Sequence, residues 1–186
     1  MNSNRIAKFE KVSFEQFKKD WIKYCMTYNE GEDRPSADDP SLDSIIRNIY
    51  DHIELPKRAT IGSAGYDFKL HTTTEIPITS SVTIPTGIRC VMDNNWVLML
   101  FPRSGHGFKY GIHLANGVGI VDADYANADN EGHIMVKLVN DSSLANHLIL
   151  KSGQAFCQGV FLPYGVTEDD DATGIRSGGF GSTDKK

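Results

Sequence analysis

The sequence predicts a mainly β domain with an α-helical hairpin inserted near its N-terminus. Three observations predict it. Beyond Pro56, short apolar runs alternate with glycine, proline and asparagine, the pattern of many short strands in a sandwich or barrel. Between residues 13 and 53 the apolar period changes from two to that of a helix. The 186 residues fit one domain and can bury a sizeable core.

Each element follows from its residues. Residues 5–12 alternate as a strand. Ser13 and Gln16 form a capping-box pattern, and Phe14, Phe17, Trp21, Tyr24 and Cys25 follow at helical spacing. Residues 29–38 read as a polar loop. Asp39-Pro40 resembles an N-cap followed by proline at the first helical position. Leu42, Ile45, Ile46, Ile49 and Ile53 are then expected on one face, and Pro56 ends the pair. Strands are expected at 81–84, 87–92, 96–101, 133–139 and 154–162. Residues 165–186 carry Glu168-Asp169-Asp170-Asp171 and a glycine- and serine-rich tail, too poor in apolar residues to order itself alone.

Composition excludes several classes. The 24 acidic against 19 basic residues give a net charge of -5, which argues against non-specific nucleic-acid binding. No apolar run is long enough to span a bilayer. Cys25, Cys90 and Cys157 are odd in number and far apart, so free thiols in a reducing cytosol are expected rather than a disulfide scaffold or zinc site. The six histidines show no metal-ligand spacing.

Five segments carry chemistry. They are Ala64-Gly65-Tyr66-Asp67-Phe68, Pro102-Arg103-Ser104-Gly105, Asn116 to Tyr125, Gly153 to Gln158, and Gly178-Gly179-Phe180-Gly181-Ser182-Thr183. Singly, each reads as well as turn, surface charge or linker. In order and spacing they resemble the five motifs of the trimeric deoxyuridine triphosphatase (dUTPase) family. The first is similar to the family's Ala-Gly-x-Asp-Leu, the second matches Pro-Arg-Ser-Gly, and the third resembles its uracil-binding hairpin. The fourth keeps the Gly-to-Gln spacing, and the fifth matches its Gly-Gly-Phe-Gly-Ser-Thr tail. The resemblance spans about residues 54–186.

That resemblance implies a jelly-roll β-barrel, a homotrimer with shared active sites, and hydrolysis of dUTP to dUMP and pyrophosphate in the cytoplasm. It implies Asp122 as the base that activates water, with Asp67 orienting Arg103. Asp124 would hold the hairpin. Backbone between Asn116 and Asp122, including Gly119 and Val121, would read uracil, and Tyr125 would pack under the sugar. Arg103, Ser104, Gly105 and Gln158 would contact phosphates. Residues 171–186 would form a lid, with Phe180 stacking on uracil and Gly181, Ser182 and Thr183 on the terminal phosphates. Mg²⁺ would ride on the triphosphate, with no protein ligands.

Three features depart from the family pattern. Residues 13–53 replace a short loop and are expected to be a surface elaboration packed on the barrel, with a regulatory role as the alternative. Residues 126–131 lengthen the loop after Tyr125 and are expected to face solvent. Arg176 precedes Phe180 by four positions rather than five, which weakens its assignment to the phosphates. Two rival readings are a dCTP deaminase of the same fold, which would need a glutamate where Lys137 stands, and a catalytically silent nucleotide-binding module.

Overall fold

The structure is a computed structural model that describes residues 5–25, 40–141, 147–176 and 178. Chain order is β1 (Ala7–Lys11), α1 (Phe14–Cys25), α2 (Pro40–Asp51), β2 (Lys57–Arg58), β3 (Tyr66–Lys69), β4 (Thr74–Ile76), β5 (Ser80–Pro85), β6 (Ile88–Met92) and β7 (Trp96–Pro102). Then follow α3 (Ser104–Tyr110), β8 (Ile112–Leu114), β9 (Gly119–Val121), β10 (Met135–Asn140), β11 (Leu148–Leu150) and β12 (Ala155–Pro163). The expected strands and both helices are present. The helix α3 was not foreseen, because Ser104-Gly105-His106-Gly107 carries two poor helix formers. Among the described residues no helix is long and apolar enough to cross a membrane.

All pairings are antiparallel, and partners are mostly distant in sequence. One sheet runs β2-β3-β12-β7-β9, a second β5-β10-β8, and β1 pairs β6 as β4 pairs β11. Alternation decides which face is buried. Along β10, Val136, Leu138 and Asn140 are buried while Lys137 between them is exposed. The long strand β12 has β3 on one side, Gln158 opposite Asp67, and β7 on the other, Gln158 opposite Phe101. Its Gly159 leaves room for Leu98 and Phe68, whose side chains lie 2.8 and 3.2 Å from where a Cβ would stand.

The third motif is a corner rather than a two-stranded hairpin. β8 pairs with β10, whereas β9 pairs with β7 in the other sheet. The turn between them is closed by the Gly117 amide donating to the Leu114 carbonyl at 2.9 Å, with Gly117 at φ +70°.

The helical pair packs on the strands and shares their core. Phe14, Phe17, Leu42, Ile46 and Ile53 are buried in the same cluster as Phe68, Ile76 and Ile88 of the strands. Phe17 is fully buried, with rings of Trp21, Tyr50, His71 and His133 at 5.3, 5.6, 6.2 and 6.2 Å. Ile45 departs from the expected face and is 55% exposed. Leu42, Ile46 and Ile49 step by four and three, and Ile45 lies about 100° round the helix from Ile46. Lys18 bridges to Asp43 at 2.7 Å between the helices. Lys11 of β1 donates to the carbonyls of Tyr50 (2.8 Å) and Asp51 (3.1 Å), so its cation meets the negative end of α2.

At the N-terminus of α1 the Ser13 hydroxyl accepts from the Gln16 amide at 3.1 Å, as the capping pattern predicts. The reciprocal half is supplied from elsewhere. Gln16 turns its side chain to Asp20 (2.7 Å), and Glu131 accepts from the Ser13 amide (2.7 Å) and hydroxyl (2.6 Å). Gln16 and Asp20 are both buried, and each satisfies the other more cheaply than a return to an exposed cap. Phe17→Ala should therefore cost about 3–5 kcal/mol of folding stability, read from the denaturation midpoint. A loss under about 1 kcal/mol, typical of surface substitutions, would mean the helices are separable from the roll.

Candidate active site

The residues singled out in the sequence gather in two groups. The first lies at one end of the five-stranded sheet. Asp67 on β3 stands opposite Gln158 on β12, and Arg103 follows the last residue of β7. The Arg103 guanidinium donates to the Asp67 carboxylate, with Asp67 the better buried of the two. Gln158 donates to the Pro102 carbonyl at 3.4 Å. Gly65 lies against Gln158, whose Oε1 stands 2.6 Å from where a Cβ would be, so a larger residue here would push the Gln158 side chain aside. Ser104 and Gly105 open α3 and are exposed. His106 is buried and reaches Gln154 at 3.1 Å, so it forms no pair with the exposed Ser104 hydroxyl.

The second group follows β9. Asp122 caps the 3-10 turn Ala123–Asn127 with its backbone in an extended conformation and makes no side-chain capping bond. Its carboxylate is 52% exposed. Arg176 reaches it at 2.9 Å and Asp124 at 3.1 Å. The guanidinium carbon lies 5.3 Å from the Tyr125 ring centroid. Asp124, expected to hold the hairpin, is instead 55% exposed and engaged by Arg176. Arg176, a weak candidate by spacing, is thus drawn to the two carboxylates of the third motif.

Tyr125 is buried. Its hydroxyl donates to the His133 carbonyl at 2.9 Å and accepts from Asn130 Nδ2 at 2.8 Å. Burial pushes its phenol up to about 12. The loop 126–131 is not a solvent-facing excursion. Ala126 and Ala128 are buried, Asn130 holds Tyr125, and Glu131 holds Ser13. Gly132 then turns at φ +71° with Tyr125 O and Ala126 Cα 2.7 Å from where a Cβ would stand, so no other residue fits.

A cleft of about 370 Å³ opens beside the corner, lined by Tyr24, Leu114, Asn116, Gly119, Val121 and Lys137 among others. Gly119 has a packing reason as well, since the Leu100 side chain lies 3.0 Å from where its Cβ would stand. Tyr24 comes from the helical pair. Phe180, Gly181, Ser182 and Thr183 lie outside the described residues, as does most of the expected lid. Among the described residues no group of three histidine, cysteine, aspartate or glutamate side chains could hold a metal. The free thiols Cys90 and Cys157 are buried.

Four residues of this region were not foreseen: Asp20, Asn130, Glu131 and His133. One signal existed. Gln16 and Asp20 sit four apart on the apolar face of α1, flanking Phe17, and polar residues there need a buried partner.

The model of the dUTPase family matches residues 51–184. The chain is 38% identical over 134 residues to the deoxyuridine 5'-triphosphate nucleotidohydrolase of Lactococcus lactis subsp. lactis, covering 70% of this chain and 88% of that protein. It is 34% identical over 140 residues to the protein of the same name from Escherichia coli, covering 71% and 88%. The crystal structure of dUTPase from Streptococcus mutans superposes with a TM-score of 0.56 at 41% identity, over 61% of this chain and 88% of that one. The native EIAV dUTPase shares the fold at a TM-score of 0.51 and 23% identity, over 64% and 93%. The chain belongs to the dUTPase family.

Proposed function

We propose that this protein hydrolyses dUTP to dUMP and pyrophosphate, with Asp122 as the general base. The observation that carries the reading is the Asp122 carboxylate, which is exposed, free of backbone capping, and three residues before the buried Tyr125. Asp122 takes a proton from water, and the water oxygen bonds to the α-phosphorus. The bond from that phosphorus to the bridging oxygen breaks and pyrophosphate leaves. Uracil is read by backbone around Asn116, Gly119 and Val121, beside the cleft. Tyr125 lies under the sugar and crowds a 2′-hydroxyl. Lys137 stands at the rim of that cleft, a cation where a deaminase would need a carboxylate.

Arg103, oriented by Asp67, binds the phosphates with Ser104, Gly105 and Gln158. These donors are a guanidinium, a hydroxyl, amides and backbone, which suit phosphate oxygens and not a metal cage. Mg²⁺ fits as an ion carried by the triphosphate, where it would offset phosphate charge.

Register supports sites shared between subunits. Val121 stands opposite Leu98, so Asp122 is level with Val97, and Arg103 lies six residues further along the same strand. At about 3.3 Å per residue that is roughly 20 Å, too far for one chain's Asp122 and Arg103 to serve one α-phosphate. A homotrimer that places Arg103 of one subunit beside Asp122 of another closes the gap. The tail completes the site as a lid. Phe180 stacks on uracil, Gly181, Ser182 and Thr183 meet the phosphates, and Arg176 exchanges the aspartates for phosphate.

Three tests follow from this reading. Asp122→Asn should keep KM for dUTP and lose about 10²–10⁴ in kcat, with pyrophosphate as the measured product; ammonia release from dCTP in its place would instead establish the deaminase. In solution the active species should have the mass of three chains, and an active monomer in sedimentation would refute the shared site. Deleting residues 174–186 should leave the unfolding midpoint nearly unchanged, since residues 164–175 are exposed, while turnover falls by about 10² or more. Turnover near the full-length value would reduce the tail to a linker.

A further inference from the structure

We propose that Asp20 and Glu131 are positioning residues for Tyr125, so that the helical pair sets how strongly the enzyme prefers a deoxyribose over a ribose. The proposal rests on the reading that Tyr125 lies under the sugar. Two anchors carry it, and both cross from the helical pair to the loop after Tyr125.

The first anchor is buried. The Gly87 amide donates to His133 Nε2 at 2.8 Å, so that nitrogen accepts and the ring proton sits on Nδ1. Nδ1 then donates to Asp20 Oδ2 at 2.6 Å, and Gln16 donates to the same oxygen at 2.7 Å. The imidazole, fully buried, is held at both nitrogens. Its own backbone carbonyl accepts the Tyr125 hydroxyl. The second anchor is at the surface. Glu131 joins the Ser13 amide and hydroxyl, and the neighbouring Asn130 donates to the Tyr125 oxygen. Glu131 adopts φ +58°, a conformation that a non-glycine residue keeps only when its surroundings hold it.

The phenol end of Tyr125 is therefore fixed by a segment, residues 130–133, that is itself fixed by α1. A ring anchored in this way cannot yield to a 2′-hydroxyl. A ring free at its hydroxyl end can tilt and admit one. Apolar crowding rejects an added hydroxyl by only about 10², so a small loss of rigidity is visible in the ratio of substrates.

The test compares kcat/KM for dUTP and UTP in the full-length protein. Asp20→Ala, which leaves the His133 N–H unpaired, should lower the dUTP-to-UTP ratio about tenfold. Asp20→Asn, whose amide oxygen can still accept from His133, should hold it within about twofold of the unmodified protein. Tyr125→Phe, which removes the anchored hydroxyl and keeps the ring, should reproduce Asp20→Ala, and the double variant should be no worse than either. If Asp20→Ala fails to fold, Glu131→Ala at the exposed anchor decides by the same ratio. An unchanged ratio in a folded Asp20→Ala or in Glu131→Ala overturns the proposal, provided that Tyr125→Ala lowers it. An unchanged ratio in Tyr125→Ala overturns the sugar reading beneath it.

Discussion

The contact between Asp20 and His133 joins two parts of this protein that lie far apart in sequence. Burial raises the cost of an ionised Asp20, yet hydrogen bonds from His133 and Gln16 outweigh it and keep the carboxyl below its ordinary range. A buried charge is tolerated when its partners are in place and costly when one is removed. Phe17 seals the same junction with rings on several sides, and Gly87 is glycine because a Cβ would meet Ile53 and Phe17 there. Packing and polar satisfaction thus demand the same placement of α1 on the roll. The Gly132 turn and the Tyr125 anchor depend on that placement.

Local signals were legible in the sequence wherever the period of the side chains decided the outcome. The strand of alternating residues at 133–139 became β10, and the run at 96–101 became β7 with its register to β12. The Asp39-Pro40 signal marked the start of α2 at Pro40. The chemistry of the candidate site was legible through the ordered motifs, none of which is decisive alone. What escaped were contacts between residues far apart. Glu131 meets Ser13 across 118 positions and His133 meets Asp20 across 113. Periodicity carries no information at that range. The loop 126–131 read as solvent-facing because loops tolerate insertions, yet Ala126 and Ala128 are buried. The corner at 115–118 read as a hairpin through its resemblance to the family's third motif, which does not say which sheet each flank joins.

The arrangement of the candidate site follows from strand direction. Arg103 stands where β7 leaves the sheet, Gln158 and Asp67 face each other beside it, and Asp122 follows the neighbouring strand at its opposite end. Groups on opposite ends of a ladder are rigidly spaced, so their separation is a property of the fold rather than of side-chain choice. Among the described residues, Arg176 reaches both aspartates from an exposed segment. A guanidinium parked on two carboxylates lowers their mutual repulsion and keeps the segment near the corner.

The double tie between α1 and residues 130–133 also bears on how this chain can vary in length. Excising residues 13–53 by joining Val12 to Glu54 would uncover Gly87 where Phe17 and Ile53 pack, leave the His133 Nδ1 proton facing a void, and release Glu131 from Ser13. Shortening 126–131 alone would remove Glu131 from Ser13 and leave Asp20 beside an unplaced ring. Neither insertion is an independent ornament. In any redesign of this scaffold they must be added or removed as one piece, although 72 to 118 positions of chain lie between them.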